Sequence, residues 1–238
     1  MLGVDEFAQE GNNSTDILWV VDNSCSMGDE QTSLAINFSS FIQIVDALDM
    51  DYHIGVTTTD VGDNGALRGS VPIVTPSTPD PAGTFAQNVN LGVSGSGYEQ
   101  GFDGAYLCYN SGPCTAGFDR GDEAGLRIIF VSDEPEQSNL LGSAANYISF
   151  FYSLRNNPDH MVTSDITGGL SGCSGPGGNA SAGTAYVAAS LTTGGISASI
   201  CDANWVATLS ALAWLSQSWA DTFELSQTPV EDTIEVRL

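Results

Sequence analysis

The sequence predicts an α/β fold in which a doubly wound, mostly parallel sheet is flanked by helices on both faces. Short apolar runs alternate with amphipathic segments along the chain, a pattern typical of βαβ units. Two of the apolar runs end in acidic residues, Asp22 and Asp133. The 238 residues, 42% of them hydrophobic, are enough for one large core. We therefore expect a polar arm or linker at residues 1–15 and one domain at 16–238.

The first half of the chain contains the clearest strand and helix patterns. Residues 17–21 form a continuous apolar run, which predicts a buried strand from Asp16 to Val21. Apolar residues then recur at helical spacing between 34 and 48, and residues 51–59 are rich in β-branched side chains that favour a second strand. A short edge strand is expected at 71–74, where Pro72 is tolerated. Residues 75–97 are dense in Pro, Gly, Ser and Thr and are predicted to be loop.

The second half repeats the alternation. Arg127 is followed by four apolar residues, 128–131, and then by Ser-Asp, so this predicted strand ends in polar residues as the first strand does. The other predicted elements, in order, are a helix from Tyr98 to the cysteine loop, a helix carrying Leu140 to Phe151, a strand at 160–166, a helix at 184–191, a helix capped by Asp202 and carrying Trp205 to Trp219, and a half-exposed strand at 233–238.

The charge of the chain excludes several classes of function. Twenty-nine acidic residues against five basic ones give a formal net charge of −24, which opposes binding to nucleic acid. All five basic residues are arginine, so mechanisms that need a lysine, such as that of P-loop NTPases, are excluded. No apolar segment reaches the roughly 18 residues of a membrane span. We also see no signal peptide.

The five cysteines indicate an oxidising compartment. Cys108 and Cys114 bracket a small loop, and Cys173 and Cys201 bracket a segment rich in Gly, Ser and Ala, so we expect these two pairs to form disulfides. They would pin loop insertions at about 108–114 and 168–201. Cys25 is then left without a partner cysteine. We expect an extracellular, cell-surface or virion-surface protein.

Polar side chains follow the first strand at alternate positions: Asp22, Ser24 and Ser26. A carboxylate at the end of a buried strand is costly without a partner. Together with two hydroxyls it forms a compact set of hard oxygen ligands, for which a divalent cation is the natural partner. The alternative is that Asp22 and Ser24 only cap the helix that starts near Gly28.

Asp22-x-Ser24-x-Ser26 after a hydrophobic strand resembles the metal-ion-dependent adhesion site of von Willebrand factor type A (vWA) domains. The similarity extends over most of the chain and includes Val131-Ser-Asp-Glu134, and it is closest to bacterial secreted or surface members of that family. The resemblance implies that Ser24 and Ser26 bind the ion directly. It also implies that Asp22 and Asp133 bind it directly or through water.

In such domains a second loop supplies one more ligand, a Thr or Ser. The corresponding loop here, residues 92–101, has no threonine, and we expect Ser96 to take this role. Ser94, Glu99 and Glu134 are alternative ligands or neighbours of the ligands. Few protein ligands and several water-filled positions suit Mg²⁺, with Mn²⁺ or Ca²⁺ as alternatives.

The expected function is that of a non-enzymatic protein-binding or adhesion module. An acidic residue of the partner would complete the metal shell. The rival interpretation is a structural subunit of an extracellular assembly, such as a virion decoration, an appendage or a pilus-like fibre, in which the fold mediates homo- or hetero-assembly. A hydrolase is a third interpretation, but no G-x-S-x-G follows a strand, the only histidines are His53 and His160, and Cys25 has no clear histidine nearby.

Overall fold

A computed structural model describes residues 13–217. Its main sheet has five parallel strands: β1 (Ser14–Val21), β2 (Asp51–Thr58), β3 (Gly125–Val131), β4 (Met161–Thr167) and β7 (Ser197–Ser199). Their order in the sheet is β2-β1-β3-β4-β7. Two short strands, β5 (Cys173–Gly175) and β6 (Gly178–Ala180), form a separate antiparallel hairpin. The predicted fold class is confirmed.

Six α-helices cover the sheet within the described range. They are α1 (Gly28–Ala47), α2 (Pro81–Asn88), α3 (Gly101–Asn110), α4 (Ala144–Tyr152), α5 (Thr184–Thr192) and α6 (Val206–Leu215). Single 3₁₀ turns lie at Val61–Asp63, Gly121–Glu123 and Pro158–His160.

Strand β1 is buried on both faces, which explains its continuous apolar run. Ile17, Trp19 and Val21 belong to the core formed with α1, α2 and α6, whereas Leu18 and Val20 belong to the core formed with α3, α4 and α5. Successive side chains of a strand point to opposite faces, so a central strand between two helical layers needs apolar residues at every position. The apolar run therefore fits a strand inside the sheet, and β1 lies between β2 and β3.

The chain order of the strands reverses at β1. This strand pairs with β2 on one side and with β3 on the other. In open sheets of this type, ligands bind beyond the carboxyl ends of the strands at such a switch point. Asp22 follows β1 directly, and Ser132 and Asp133 follow β3, so these side chains meet at the crevice where a ligand is expected.

The prediction that residues 75–97 are loop is wrong, because helix α2 lies within them. The Asp80 side chain accepts a hydrogen bond from the backbone N–H of Gly83, and Pro81 occupies the first turn. Both features favour a helix start. Phe85 is buried against the core, which holds this short helix in place. The abundance of Pro, Gly and Ser around it hides the pattern in the sequence.

Several predicted boundaries also differ from the structure. Residues 71–74 form no strand beyond an isolated antiparallel bridge between Val74 and Ile54. Leu140 lies before α4, whose cap is Ser143. Asp202 is exposed and does not cap α6, which begins four residues later. The predicted helix at Tyr98 starts at Gly101, and β5, β6 and β7 were not predicted. Residues 1–12, Trp219 and the strand expected at 233–238 lie outside the described residues.

One disulfide joins the end of α3 to the loop that follows it, and the other joins the β5–β6 hairpin to the segment after β7. Cys108 bonds to Cys114 and Cys173 bonds to Cys201, the pairs expected from the sequence. Cys25 is a free, exposed thiol. None of the helices within residues 13–217 is long and apolar enough to cross a membrane.

Candidate metal centre

Asp22 is fully buried at the carboxyl end of β1 and is held by hydrogen bonds on both oxygens. Its Oδ1 accepts from the backbone N–H of Ser24 at 2.7 Å, and its Oδ2 accepts from the hydroxyl of Ser132 at 2.7 Å. The residue that precedes α1 is Met27, and no side chain caps that helix. The capping alternative for Asp22 and Ser24 is therefore wrong, and Asp22 faces the crevice.

The hydroxyls of Ser24 and Ser26 lie side by side, with their oxygens 3.3 Å apart. Ser24 is buried next to Asp22, whereas Ser26 is exposed at the surface. A turn, closed by a hydrogen bond from Met27 N–H to the Ser24 carbonyl, fixes the loop between β1 and α1. Two neutral oxygens beside a carboxylate are ligands that hard divalent cations prefer.

Asp133 lies after β3 and has an oxygen with no partner. Only 7% of the residue is exposed, and its buried Oδ1 has no hydrogen-bond partner among the described residues. Burial raises the pKa of its carboxyl, and repulsion from Asp22 and Glu134 adds to this, while the hydroxyl of Ser26 opposes it. The Asp133 carbonyl accepts from Ser181 N–H at 2.8 Å, which fixes the loop.

The predicted second-loop ligand, Ser96, is engaged in local structure. Its hydroxyl accepts a hydrogen bond from Tyr98 N–H at 3.0 Å, and its own N–H donates to Asp60 at 3.2 Å. Within residues 13–217, neither Ser96 nor Ser94 is hydrogen-bonded to the loop that follows β1. Gly95, which lies between the two serines, donates its N–H to the Asn23 carbonyl at 2.9 Å, so this part of the second loop lies against the loop that follows β1.

Glu99 is the residue of the second loop that lies against Asp22. Its side chain is fully buried, its Oε2 accepts from the Thr59 hydroxyl at 2.5 Å, and its Oε1 has no partner among the described residues. Burial, followed by repulsion from Asp22, raises the pKa of Glu99 to about 8. The Glu99 carbonyl accepts from Gln137 N–H at 2.8 Å, which ties the second loop to the loop after β3.

Glu30 is a fourth carboxylate at this end of the sheet, and the sequence analysis missed it. It is 5% exposed, and its Oε2 has no partner within the described residues. Burial raises its pKa first, and repulsion from Asp133, Asp29 and Asp22 follows. In the sequence Glu30 looks like an ordinary acidic residue in the first turn of a helix, a position that favours acids for reasons of capping alone. The sequence analysis also missed Ser132, whose hydroxyl donates to Asp22.

The described arginines bind groups elsewhere in the molecule. Arg68 pairs with Asp63, Arg120 and Arg155 pair with Asp16 at the start of β1, and Arg127 donates to backbone carbonyls such as that of Leu215. The buried carboxylates at the crevice thus face one another. Isolated buried charges are costly, and buried polar atoms without partners are rare in folded proteins.

A divalent cation fits this arrangement of side chains. Buried oxygens of Asp133 and Glu99 lack partners among the described residues, and the hydroxyl of Ser26 interacts with Asp133 and lies 3.3 Å from that of Ser24. No three Asp, Glu, His or Cys side chains of residues 13–217 converge closely enough to hold a metal by themselves. The two serine hydroxyls, and water, would therefore have to supply part of the shell.

His53, the histidine that a hydrolase would need, lies at the other end of the sheet. It is near the start of β2, where its Nδ1 is 2.9 Å from the Phe118 carbonyl and 3.9 Å from Asp16. The serines of the candidate centre follow the carboxyl end of β1. The structure therefore does not bring His53 together with Ser24 or Ser26.

Comparisons with known proteins find similarity of fold. No family model and no curated protein matches the chain. Proximal thread matrix protein 1 from the mussel byssus matches with a TM-score of 0.51 at 14% identity, over 87% of this chain and 47% of that one. A von Willebrand factor type A protein from Catenulispora acidiphila matches with a TM-score of 0.48 at 14% identity, over 84% of this chain and 41% of that one. BatB from Bacteroides thetaiotaomicron matches with a TM-score of 0.48 at 16% identity, over 84% of this chain and 96% of that one.

These similarities concern the fold alone, since all the identities are low. The chain spans less than half of the mussel and Catenulispora proteins. The parallel sheet flanked by helices and the reversal of strand order at β1 give the chain a doubly wound α/β fold, and the mussel protein has a similar fold.

Proposed function

We propose that this protein is a non-enzymatic binding module that holds a divalent cation at the carboxyl end of β1 and β3 and uses it to bind a protein partner. The observation that carries the proposal is the set of buried carboxylate oxygens on Asp133 and Glu99 that lack hydrogen-bond partners within the described residues. Burial, followed by repulsion from Asp22, raises the pKa values of Glu99 and Asp133. A cation would relieve this repulsion.

Each residue of the centre has a proposed role. Ser24 and Ser26 would bind the ion through their hydroxyls, and Asp22 and Asp133 would neutralise its charge directly or through water. Glu99 would take the place expected for Ser96. The ion, when bound, would supply a Lewis-acidic position for a carboxylate of the partner. Mg²⁺ is the first choice because it keeps several waters and needs few protein ligands, and Mn²⁺ or Ca²⁺ are alternatives.

Exposed apolar side chains on two loops near the centre support a protein partner. Tyr98, next to Glu99, is 69% exposed, and Val93 on the same loop is 43% exposed. Leu170, in the loop after β4, is 67% exposed. Gly169, its neighbour, is hydrogen-bonded to Gly183 near the segment that fixes Asp133. Large exposed apolar groups around a polar site are typical of interaction surfaces.

Calorimetric titration with Mg²⁺, Mn²⁺ and Ca²⁺ tests the metal centre. We expect the wild type to bind at least one of these ions and Asp22→Ala and Ser26→Ala to lose most of the affinity. Ser39→Ala is the matched control, because it removes an exposed hydroxyl from the middle of α1, and it should bind like the wild type. Absence of binding to the wild type, or unchanged binding to Asp22→Ala, would refute the proposal.

The same variants separate binding from structural assembly. A partner bound through the ion should dissociate in EDTA and from Ser26→Ala. A subunit of an extracellular assembly should form the same oligomers with or without EDTA, which sedimentation velocity would detect. We propose an extracellular, cell-surface or virion-surface location, and the two disulfides support it because they persist in oxidising compartments.

A further inference from the structure

Thr59 lies directly beyond the carboxyl end of β2, beside the candidate metal centre. Strand β2 pairs in parallel with β1, and its last residue, Thr58, is in register with Val21. The residues that follow the two strands, Thr59 and Asp22, therefore leave the sheet side by side. Thr59 is 1% exposed, so its hydroxyl needs a hydrogen-bond partner inside the protein.

Thr59 holds Glu99 through both its side chain and its main chain. The Thr59 hydroxyl donates to Oε2 of Glu99 at 2.5 Å, and the Thr59 carbonyl accepts from the backbone N–H of Gln100 at 3.1 Å. From the loop after β3, the N–H of Gln137 donates to the Glu99 carbonyl at 2.8 Å. Hydrogen bonds therefore fix the backbone around Glu99 and one of its two carboxylate oxygens.

The other oxygen of Glu99 is the one left for a ligand. Oε1 is buried and has no hydrogen-bond partner among residues 13–217. Burial raises the pKa of Glu99 to about 8, and repulsion from Asp22 adds to this, so the two carboxyl groups lie close together. A group that hydrogen-bonds to a metal ligand orients that ligand, and its loss lowers metal affinity by about 10- to 100-fold.

We propose that Thr59 is a positioning residue of the metal centre, whose hydroxyl binds Oε2 of Glu99 and so presents Oε1 to the ion. This inference rests on the proposed function, in which Glu99 is a ligand. The role requires a hydroxyl at position 59. Serine keeps that hydroxyl, whereas valine has nearly the shape of threonine but cannot donate a hydrogen bond.

Calorimetric titration with Mg²⁺, Mn²⁺ and Ca²⁺ tests this role with three variants. Thr59→Val should bind the ion about tenfold more weakly than the wild type does. Thr59→Ser should restore most of the affinity, because it can still donate to Glu99. Thr57→Val is the matched control and should bind like the wild type, since it removes another buried hydroxyl of β2, one that donates to the Ala66 carbonyl at 3.1 Å.

A double-mutant cycle tests whether Thr59 acts through Glu99. Glu99→Gln should itself weaken ion binding. Adding Thr59→Val to it should weaken binding no further, because both changes remove the same interaction. Losses that multiply in the double variant would overturn the inference, since Thr59 would then act on the ion by another route.

Crystal structures of the metal-free variants give a second readout that needs no ion. The Glu99 carboxylate should turn away from its wild-type position in Thr59→Val and should keep that position in Thr59→Ser and Thr57→Val. An unmoved Glu99 in Thr59→Val, wild-type affinity in that variant, or equally weak binding by Thr59→Ser would each overturn the inference. Failure of the wild type to bind any of the three ions would instead refute the proposed function, so the two failures are distinguishable.

Discussion

The carboxyl group of Glu99 makes the metal-free protein sensitive to pH. Its pKa is raised from an ordinary value of 4.5 to about 8, first by burial and then by repulsion from Asp22. A raised pKa means that the folded protein binds this proton more tightly than the unfolded chain does. The resulting stabilisation is complete below pH 4.5 and is lost as the pH rises through 8. In EDTA the protein should therefore be more stable at pH 6 than at pH 8.

The size of the effect follows from the pKa shift. One extra proton bound by the folded state changes the free energy of unfolding by about 1.4 kcal/mol per pH unit. Between pH 6 and pH 8 this amounts to about 2 kcal/mol, once the partial ionisation of Glu99 near pH 8 is included. Asp133 and Glu30, whose pKa values are also raised by burial, act in the same direction.

Urea unfolding at pH 6, 7 and 8 in EDTA measures this effect. Glu99→Gln should lose about 2 kcal/mol of the pH dependence, whereas Glu123→Gln, which changes an exposed glutamate near the start of β3, should keep it. Saturating Mg²⁺ or Mn²⁺ should oppose the trend, because ion and proton compete for the same oxygens. A wild type that is equally or more stable at pH 8 in EDTA, or a Glu99→Gln variant with unchanged pH dependence, would refute the reasoning.

Three further predictions concern stability and are checked by urea unfolding. Phe38→Ala should lower the free energy of unfolding by about 3–5 kcal/mol, because Phe38 is fully buried and packs edge-on against Trp19, with ring centroids 5.6 Å apart. Ile36→Ala, at a position that is 71% exposed on the same helix, should lower it by less than about 0.5 kcal/mol. Arg155→Met should cost about 3–5 kcal/mol, since it leaves the fully buried Asp16 without one of its two arginines; an effect below about 1 kcal/mol would contradict this. Cys173→Ser with Cys201→Ser opens a loop of 28 residues, and a loss of about 3 kcal/mol is expected; equal stability would show that the disulfide does not anchor the hairpin.

The parts of the fold that the sequence predicts are those whose local pattern and tertiary environment agree. The apolar run of β1 is continuous because the strand is buried on both faces. The amphipathic stripe of α1 faces the sheet. The short strand β7 was missed because three residues are too few to show the alternation of apolar and polar side chains that predicts a strand. Its pairing with β4 depends on contacts between residues distant in sequence. Helix α2 was missed because its eight residues lie in a segment with the composition of a loop.

The candidate centre was predictable to a similar extent. Asp22 and Asp133 follow directly from their positions after buried parallel strands, because the carboxyl ends of such strands share one edge of the sheet. The position of the Glu99 side chain could not be predicted in this way, because the direction of a loop side chain depends on contacts such as the hydrogen bond from Thr59. Glu30 was hidden because an acid in the first turn of a helix has an ordinary explanation in the helix dipole.

A crystal structure with bound Mn²⁺, located by its anomalous scattering, tests the metal centre most directly. The proposal predicts one strong peak within about 2.6 Å of the hydroxyl oxygens of Ser24 and Ser26, on the side that faces Asp22, Asp133 and Glu99. Soaking the Ser26→Ala variant should abolish that peak. A wild-type crystal without a peak there would contradict the account.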